Sequence, residues 1–195
     1  MDKTPVLVLI GGISQHSLNQ RLYRAFERLT PPDFQNGFFL ETFEIQSLPF
    51  YSQDLELNPP QIVREFQRKV EEAGAYLFVT PEYNRSFPGV LKNAIDWASR
   101  PYGENRWFGK PAGLIGASAG NIGTFGAQHH LRQVFAYLNL KVMTHPELYL
   151  NGSRALDEKG GVRDPAVTEL LKDFWKEYHQ WIAFGGEVGR LGLTG

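Results

Sequence analysis

The segment Gly116-Ala117-Ser118-Ala119-Gly120 fits the G-x-S-x-G pattern in which some hydrolases present a nucleophilic serine. Such a serine needs a histidine base that an acid orients. The candidates in the order Ser, Asp, His are Ser118, Asp157 or Asp164, and His179. His179 falls in an amphipathic helical pattern, whereas the base of a hydrolase is expected on a loop. We therefore interpret Ser118 as a small polar residue beside a flat ligand, with serine hydrolysis as the alternative.

A second set of polar residues occupies positions 11–19, between an apolar run and a helical pattern. Backbone N–H groups and the positive end of a helix are available at such a position, which favours an anion such as phosphate. The side chains of Ser14, Ser17 and Asn19 can donate further hydrogen bonds to phosphate oxygens. The alternative is that Ser17 caps the helix and the glycines only turn the chain. Neither G-x-G-x-x-G nor the Walker lysine is present, so a dinucleotide fingerprint and a P-loop are not indicated.

A third polar segment, Pro81-Glu82-Tyr83-Asn84-Arg85-Ser86, follows a continuously apolar run. Pro81 stiffens the chain, Tyr83 offers a planar face, and the amide of Asn84 can pair with the polar edge of a heterocycle. The alternative is a tight proline turn that carries a surface tyrosine. Because the neighbouring loops are also polar, we prefer a binding site for a flat ligand.

These three loops must be positioned by regular elements, and short apolar runs alternate with helical patterns along the chain. The predicted strands are residues 5–10, 38–45, 75–80, 112–118 and 141–150, the last broken by His145-Pro146. The predicted helices are residues 18–29, 60–73, 88–99, 123–138 and one that begins with Asp164 as cap and Pro165 as first residue. The buried stripe of the last helix is predicted as Val167, Leu170, Leu171, Phe174, Tyr178, Trp181 and Ile182.

Five strands and five helices favour an α/β three-layer sandwich of the flavodoxin-like type, with a five-stranded parallel sheet in the order 2-1-3-4-5. In this order strands one, three and four are neighbours, and their polar loops meet at one edge. With ~4.8 Å between neighbouring strands, the three loops cover roughly 10 Å. This span is enough to hold a flat, elongated ligand.

Composition excludes several other classes. The 195 residues predict a single domain over residues 1–195, with a glycine-rich tail at 185–195. Lys plus Arg number 20 against 21 Asp plus Glu, so neither nucleic acid nor an anionic membrane is an expected partner. No cysteine is present, and no apolar run reaches the ~20 residues of a membrane span. We expect a cytoplasmic protein.

The segment TPEYNRSFPGVLKNAIDWASRP resembles the signature of the NADPH-dependent FMN reductase family, which includes flavin-containing quinone, azo-dye and chromate reductases. Three further segments resemble other parts of that family: GGISQHSLNQRL its phosphate loop, SLPFYSQDLE its acidic loop, and FGKPAGLIGASAGNIGTFGAQHHLRQV its fourth strand and turn. The Pro-Glu-Tyr-Asn segment is the specific one, and the others support it.

The resemblance implies an enzyme that passes hydride by a ping-pong mechanism from NADPH or NADH through FMN to a quinone, azo, metal-oxyanion or free flavin acceptor. It implies that the FMN phosphate lies on the first loop and the ring along the other two. The implied cofactor-binding residues are Ser14, His16, Ser17, Leu18, Asn19, Pro81, Glu82, Tyr83, Asn84 and Ser118. The family also points to a homodimer or homotetramer, and with bound FMN no catalytic side chain is expected. His129-His130 has no carboxylate or third histidine at ligand spacing, so we expect no metal.

One departure from the family concerns the phosphate loop. Similar proteins carry Gly-Ser-Leu-Arg there, and this chain has Gly12 and Ser14 where the serine and the arginine would stand. Without a bidentate arginine contact, we expect weaker FMN retention. A protonated His16 is one candidate to compensate, and the preferred alternative is an exposed histidine without a role.

Other residues complete the expectations. Apolar cover for the ring is expected from Phe50, Tyr51, Phe87, Trp107 and Phe125. Arg85 and Arg100 are candidates for contact with the 2′-phosphate of NADPH. A flavodoxin-like electron carrier without NADPH turnover is a further alternative, but such carriers are strongly acidic and the net charge here is -1.

Overall fold

The computed structural model describes residues 3–186, and in that range one parallel sheet contains every strand. The strands are β1 (Thr4–Ile10), β2 (Phe38–Thr42), β3 (Ala75–Thr80), β4 (Pro111–Ser118), β5 (Lys141–Val142) and β6 (Leu148–Asn151). The helices are α1 (Leu18–Arg28), α2 (Phe34–Gly37), α3 (Gln61–Glu72), α4 (Gly89–Ala98), α5 (Phe125–Tyr137), α6 (Gly152–Ala155) and α7 (Pro165–Ala183). Of the predicted tail at 185–195, the part beyond Gly186 lies outside the described residues.

The order of the sheet is β2-β1-β3-β4-β5, which confirms the predicted flavodoxin-like topology. The predicted fifth strand is instead two short strands, β5 and β6. Both pair with β4, and residues 143–147 separate them. His145-Pro146 lies in this gap, where proline withholds a ladder donor. The break was predicted, and its consequence is a six-stranded sheet.

Two hydrophobic cores flank the sheet because successive side chains of a strand point to opposite faces. Val6 and Val8 of β1 face the core that α1 and α7 cover. Leu7 and Leu9 face the core that α3, α4 and α5 cover. The three-layer arrangement is therefore confirmed, and the carboxyl ends of the strands are left to the loops.

Some predicted boundaries and burials were wrong. The second strand ends at Thr42, where its pairing with Val8 of β1 also ends, and Ile45–Ser47 is a turn of 3-10 helix. On α7, Leu170 is half exposed. Trp175, which the predicted stripe omitted, is fully buried: it stacks on Phe26 at 4.1 Å and donates its Nε1–H to the Phe26 carbonyl at 2.7 Å.

In the part of the chain that the structure describes, no helix is both long and apolar enough to cross a membrane.

Candidate active site

Three loops meet at the carboxyl edge of the sheet, as the strand order predicts. They follow β1, β3 and β4, which are neighbours: Ile10 pairs with Val79, and Thr80 pairs with Gly116. Ligands of open α/β sheets bind at this edge, where the direction of winding reverses. The site is therefore built from residues 11–19, 81–88 and 118–124.

The first loop is folded tightly against the start of α1. The Ser17 hydroxyl accepts hydrogen bonds from the N–H groups of Asn19 and Gln20 at 3.2 and 3.3 Å, so Ser17 is the N-cap of α1. A Cβ at Gly12 would lie 2.2 Å from the Ser17 Oγ, which means that only glycine permits this close approach. The capping interpretation of Ser17 is thus correct, and the cap holds the loop at the positive end of the helix.

Asn19 joins the first loop to β4. Its side chain is 1% exposed, its Nδ2 donates to the Ala117 carbonyl at 2.9 Å, and its Oδ1 accepts the Ala117 N–H at 3.0 Å. The amide thereby takes the place of a neighbouring strand where β3 has already turned away. Sequence reasoning treated Asn19 as a phosphate donor and missed this structural role.

The other predicted phosphate residues lie at the surface of the same loop. Ser14 and His16 are exposed, and the His16 N–H approaches the Ser14 Oγ at 3.4 Å. Leu18 is the first residue of α1 and packs against Gly152, where an added Cβ would lie 3.2 Å from the Leu18 Cβ. This packing places the short helix α6 beside the start of α1.

The loop after β3 is a two-residue hairpin. Tyr83 and Ser86 exchange backbone hydrogen bonds at 2.8 and 3.0 Å. The residues between them, Asn84 and Arg85, have φ values of 51° and 66°. Positive φ at both central positions is typical of a type I′ turn, which favours asparagine and glycine. Tyr83 is half exposed, so its ring is available at the edge of the site.

Glu82 fixes this hairpin to α5. Its side chain is 9% exposed, and its Oε2 accepts the Ala127 N–H at 3.1 Å. The N-cap residue of α5, Thr124, makes no side-chain capping bond, so Glu82 supplies the cap from another loop. One helical turn further, His130 Nδ1 lies 2.8 Å from the Ser86 Oγ. The hairpin is therefore attached to α5 at both of its ends.

Ser118 lies at the end of β4 and forms hydrogen bonds within its own loop. Its hydroxyl donates to the Gly123 carbonyl at 2.7 Å and accepts the Gly120 N–H at 3.2 Å. His179 lies at the opposite end of the sheet, 3.4 Å from Asp33 and against the Phe38 ring at the start of β2. The proposed hydrolase triad is therefore not assembled.

A cavity of about 440 Å³ separates the hairpin from the loop after β4. Glu82, Asn84 and Arg85 line one side, and residues 118–123 line the other. Sequence analysis placed the whole run SAGNIGTFG after the fourth strand, and from it named Ser118 as a cofactor-binding residue. The cavity is a polar slot between two backbone turns.

Comparison with known proteins identifies the chain. The sequence model of the NADPH-dependent FMN reductase family matches residues 4–155. The chain belongs to this family. A 2-hydroxy-1,4-benzoquinone reductase from a Burkholderia species is 42% identical over 91% of this reductase and 95% of the relative. A quinone reductase from Pseudomonas putida is 40% identical over 94% and 97%.

A solved structure agrees with the sequence matches. The flavoenzyme NAD(P)H:(acceptor) oxidoreductase FerB from Paracoccus denitrificans superposes with a TM-score of 0.85 at 36% identity, covering 93% of this reductase and 98% of that chain. The resemblance seen in the sequence is confirmed, as are the oxidoreductase class and the predicted cofactors, FMN with NADPH or NADH.

The residues present suit a flat phosphorylated flavin. The first loop offers hydroxyls and N–H groups at a helix start, and the slot offers the Asn84 amide at its rim. Two glycines allow close approaches at the site. A Cβ at Gly12 would lie 2.2 Å from the Ser17 Oγ, and a Cβ at Gly126 would be tightly placed, 3.1 Å from the Arg85 carbonyl oxygen and 3.2 Å from the Glu82 Oε2. The donor set therefore fits FMN.

Two of the residues expected to cover the ring are not available for it. Trp107 is fully buried and Phe87 is nearly so, and both belong to the core beneath α4 and α5. They were expected at the surface because aromatic residues near polar loops look alike in sequence. Phe50 and Phe125 are exposed, and Tyr51 is partly buried.

Proposed function

We propose that this chain transfers hydride from NAD(P)H through bound FMN to a small-molecule acceptor, with quinone, azo, metal-oxyanion and free flavin compounds as the candidate acceptors. The observation that carries the proposal is the slot between the hairpin and residues 118–123, at the edge where β1, β3 and β4 end. Membership of the FMN reductase family supports it.

We assign the phosphate of FMN to the first loop. The hydroxyl of Ser14, the ring of His16 and the N–H of Leu18 stand at the positive end of α1. The side chains of Ser17 and Asn19 already have protein partners, so their part is to hold the loop in place. No arginine side chain belongs to this loop, and this supports the expectation of weak FMN retention.

We assign the ring of FMN to the slot beside Pro81, Glu82, Tyr83, Asn84 and Ser118. Asn84 can donate to and accept from the polar edge of the ring. Asn84 has a left-handed backbone with φ of 51°, and the hairpin turn fixes its position at the rim of the slot. Among the described residues, the hydrogen-bond partners of the Ser118 hydroxyl belong to its own loop, and we assign Ser118 to line the ring.

Bound FMN supplies the group that receives a hydride and passes it on, so the chain needs no nucleophile of its own. The protein binds, orients and limits access. Because one slot has to receive both the hydride donor and the acceptor, the two use it in turn, and this predicts ping-pong kinetics.

Three broader assignments accompany the activity. We propose one domain over residues 1–195, a homodimer or homotetramer, and a cytoplasmic location where the pyridine nucleotide is regenerated. Large aromatic side chains at the surface, Phe50, Tyr102 and Tyr137, support assembly. Light scattering on a size-exclusion column measures the assembly state, and a monomer at micromolar concentration would contradict it.

The test is a visible spectrum of the purified protein with added FMN, followed by anaerobic NADPH and then benzoquinone. We expect bound FMN to bleach with NADPH and to recover its colour with the quinone. Protein that binds no flavin at saturating FMN, or bound flavin that NADPH does not reduce, would overturn the proposal. A serine-directed phosphonate that labels Ser118 would instead support the hydrolase alternative.

A further inference from the structure

Arg85 adopts a backbone conformation that does not suit its residue type. It occupies the second central position of the hairpin with φ of 66°, where glycine or asparagine is favoured. A side chain that is retained at an energetic cost near a functional site points to a use for that side chain. The question is what the guanidinium meets.

The guanidinium is held only loosely by the protein. The Arg85 side chain is 74% exposed, and its Nη1 lies 3.4 Å from the Glu82 Oε1. An exposed pair at that distance contributes little. The Glu82 carboxylate also accepts the N–H at the first turn of α5, whose positive end offsets its charge. The protein therefore neutralises little of the guanidinium charge of Arg85, and this charge is available to a ligand.

The position of Arg85 at the slot indicates which ligand its side chain can bind. Among the described residues that line the 440 Å³ cavity, Arg85 is the one basic residue. Arg100, the other arginine considered from sequence, lies over the Tyr51 ring at 6.0 Å and lines a separate cavity beside α4 and α5. The structure therefore separates the two candidates.

We propose that Arg85 binds a phosphate group of the nicotinamide dinucleotide donor and so docks the donor at the slot. A nicotinamide that stacks in the slot extends towards solvent through its ribose to the phosphates, and a solvent-exposed guanidinium at the rim matches that path. Arginine binds phosphate oxygens in a bidentate manner. The inference rests on the proposed function of the same site, and it adds the residue that recognises the donor.

The variants are Arg85→Asn, which suits the left-handed backbone and removes the charge, and Arg85→Gln, which keeps most of the length. Arg28→Gln is the control, since it changes the net charge equally in the last turn of α1, at the far end from the first loop. We expect both Arg85 variants to raise the KM for NADPH at least tenfold and to weaken NADP+ binding in calorimetry by the same factor. The limiting rate of flavin reduction and the affinity for FMN should stay within twofold of wild type.

The two donors distinguish the phosphates. An equal loss with NADPH and NADH assigns Arg85 to the pyrophosphate, and a loss with NADPH alone assigns it to the 2′-phosphate. Wild-type calorimetric affinity for NADP+ in both variants, or an equal loss in Arg28→Gln, refutes the role of Arg85. The proposed function fails separately, when NADPH does not reduce the flavin of the wild-type protein.

Discussion

Replacing Asn19 with alanine tests the link between the first loop and β4. The substitution removes both hydrogen bonds to Ala117. The N–H and the carbonyl of Ala117, a residue that is 1% exposed, then lose these partners. Each of the two unpaired buried groups costs about 1–3 kcal/mol, so we expect a loss of about 2–6 kcal/mol in the free energy of unfolding. Because small proteins are stable by only about 5–15 kcal/mol, this loss is large.

The assay is urea unfolding of FMN-free protein, followed by circular dichroism. Asn36→Ala is the matched control because Asn36 is exposed and its side chain has no partner among the described residues; its effect should stay within about 0.5 kcal/mol. Asn19→Asp should also destabilise, since a carboxylate oxygen would then face the Ala117 carbonyl.

The result also decides between two roles of Asn19. A direct phosphate contact predicts weaker FMN binding with little loss of stability in FMN-free protein. A structural link instead predicts a large loss of stability in FMN-free protein. It also predicts that riboflavin binding, which involves no phosphate, is weakened as much as FMN binding. A loss below about 1 kcal/mol in Asn19→Ala would refute the structural reasoning.

Three further substitutions test other contacts described above or within the fold. Gly12→Ala forces a Cβ towards the Ser17 Oγ and should cost about 1 kcal/mol of capping energy and weaken FMN binding, as fluorescence titration would show. Glu82→Ala should destabilise by about 1–2 kcal/mol in urea, whereas Glu82→Gln keeps an acceptor and retains most of the stability. The Gly161 N–H lowers the pKa of the Asp157 carboxyl. A carboxyl with a lowered folded pKa stabilises the fold above its unfolded pKa, and this contribution is lost as pH falls. Asp157→Asn should therefore lower Tm at neutral pH, and the difference should narrow below pH 3.8.

Each of these has a contrary result. An unchanged Tm in Gly12→Ala would mean that the loop relaxes without breaking the cap. Equal losses in Glu82→Ala and Glu82→Gln would assign the effect to charge instead of to the hydrogen bond. A Tm difference for Asp157→Asn that is constant with pH would contradict the lowered pKa.

The sheet could be predicted because its central strands are continuously apolar. Residues 75–80 are buried on both faces, and such a run has no competing helical period. The end of β2 could not be predicted, since Phe43 and Ile45 continue the alternating pattern while they pack into the core outside the sheet. Local pattern reports burial, but it does not report whether the backbone still has a partner strand.

The site could be located from sequence but its internal bonds could not. The Pro-Glu-Tyr-Asn segment and the strand order predicted which loops meet. The bonds of Asn19 to Ala117 and of Glu82 to Ala127 join residues 98 and 45 positions apart. A polar residue looks the same in sequence whether it faces a ligand or a distant backbone group, so both side chains were taken for ligand contacts.

The attachment of the hairpin to α5 has a consequence for how the enzyme can be altered. The facing side of the slot, residues 118–123, leads directly into the same helix. Both sides of the slot are thus joined to α5, one through hydrogen bonds and the other through the chain itself, so a displacement of α5 would move both. Substitutions on the buried side of α5, at Ala127 or Leu131, would therefore change the width of the slot for larger acceptors without altering a residue that lines it.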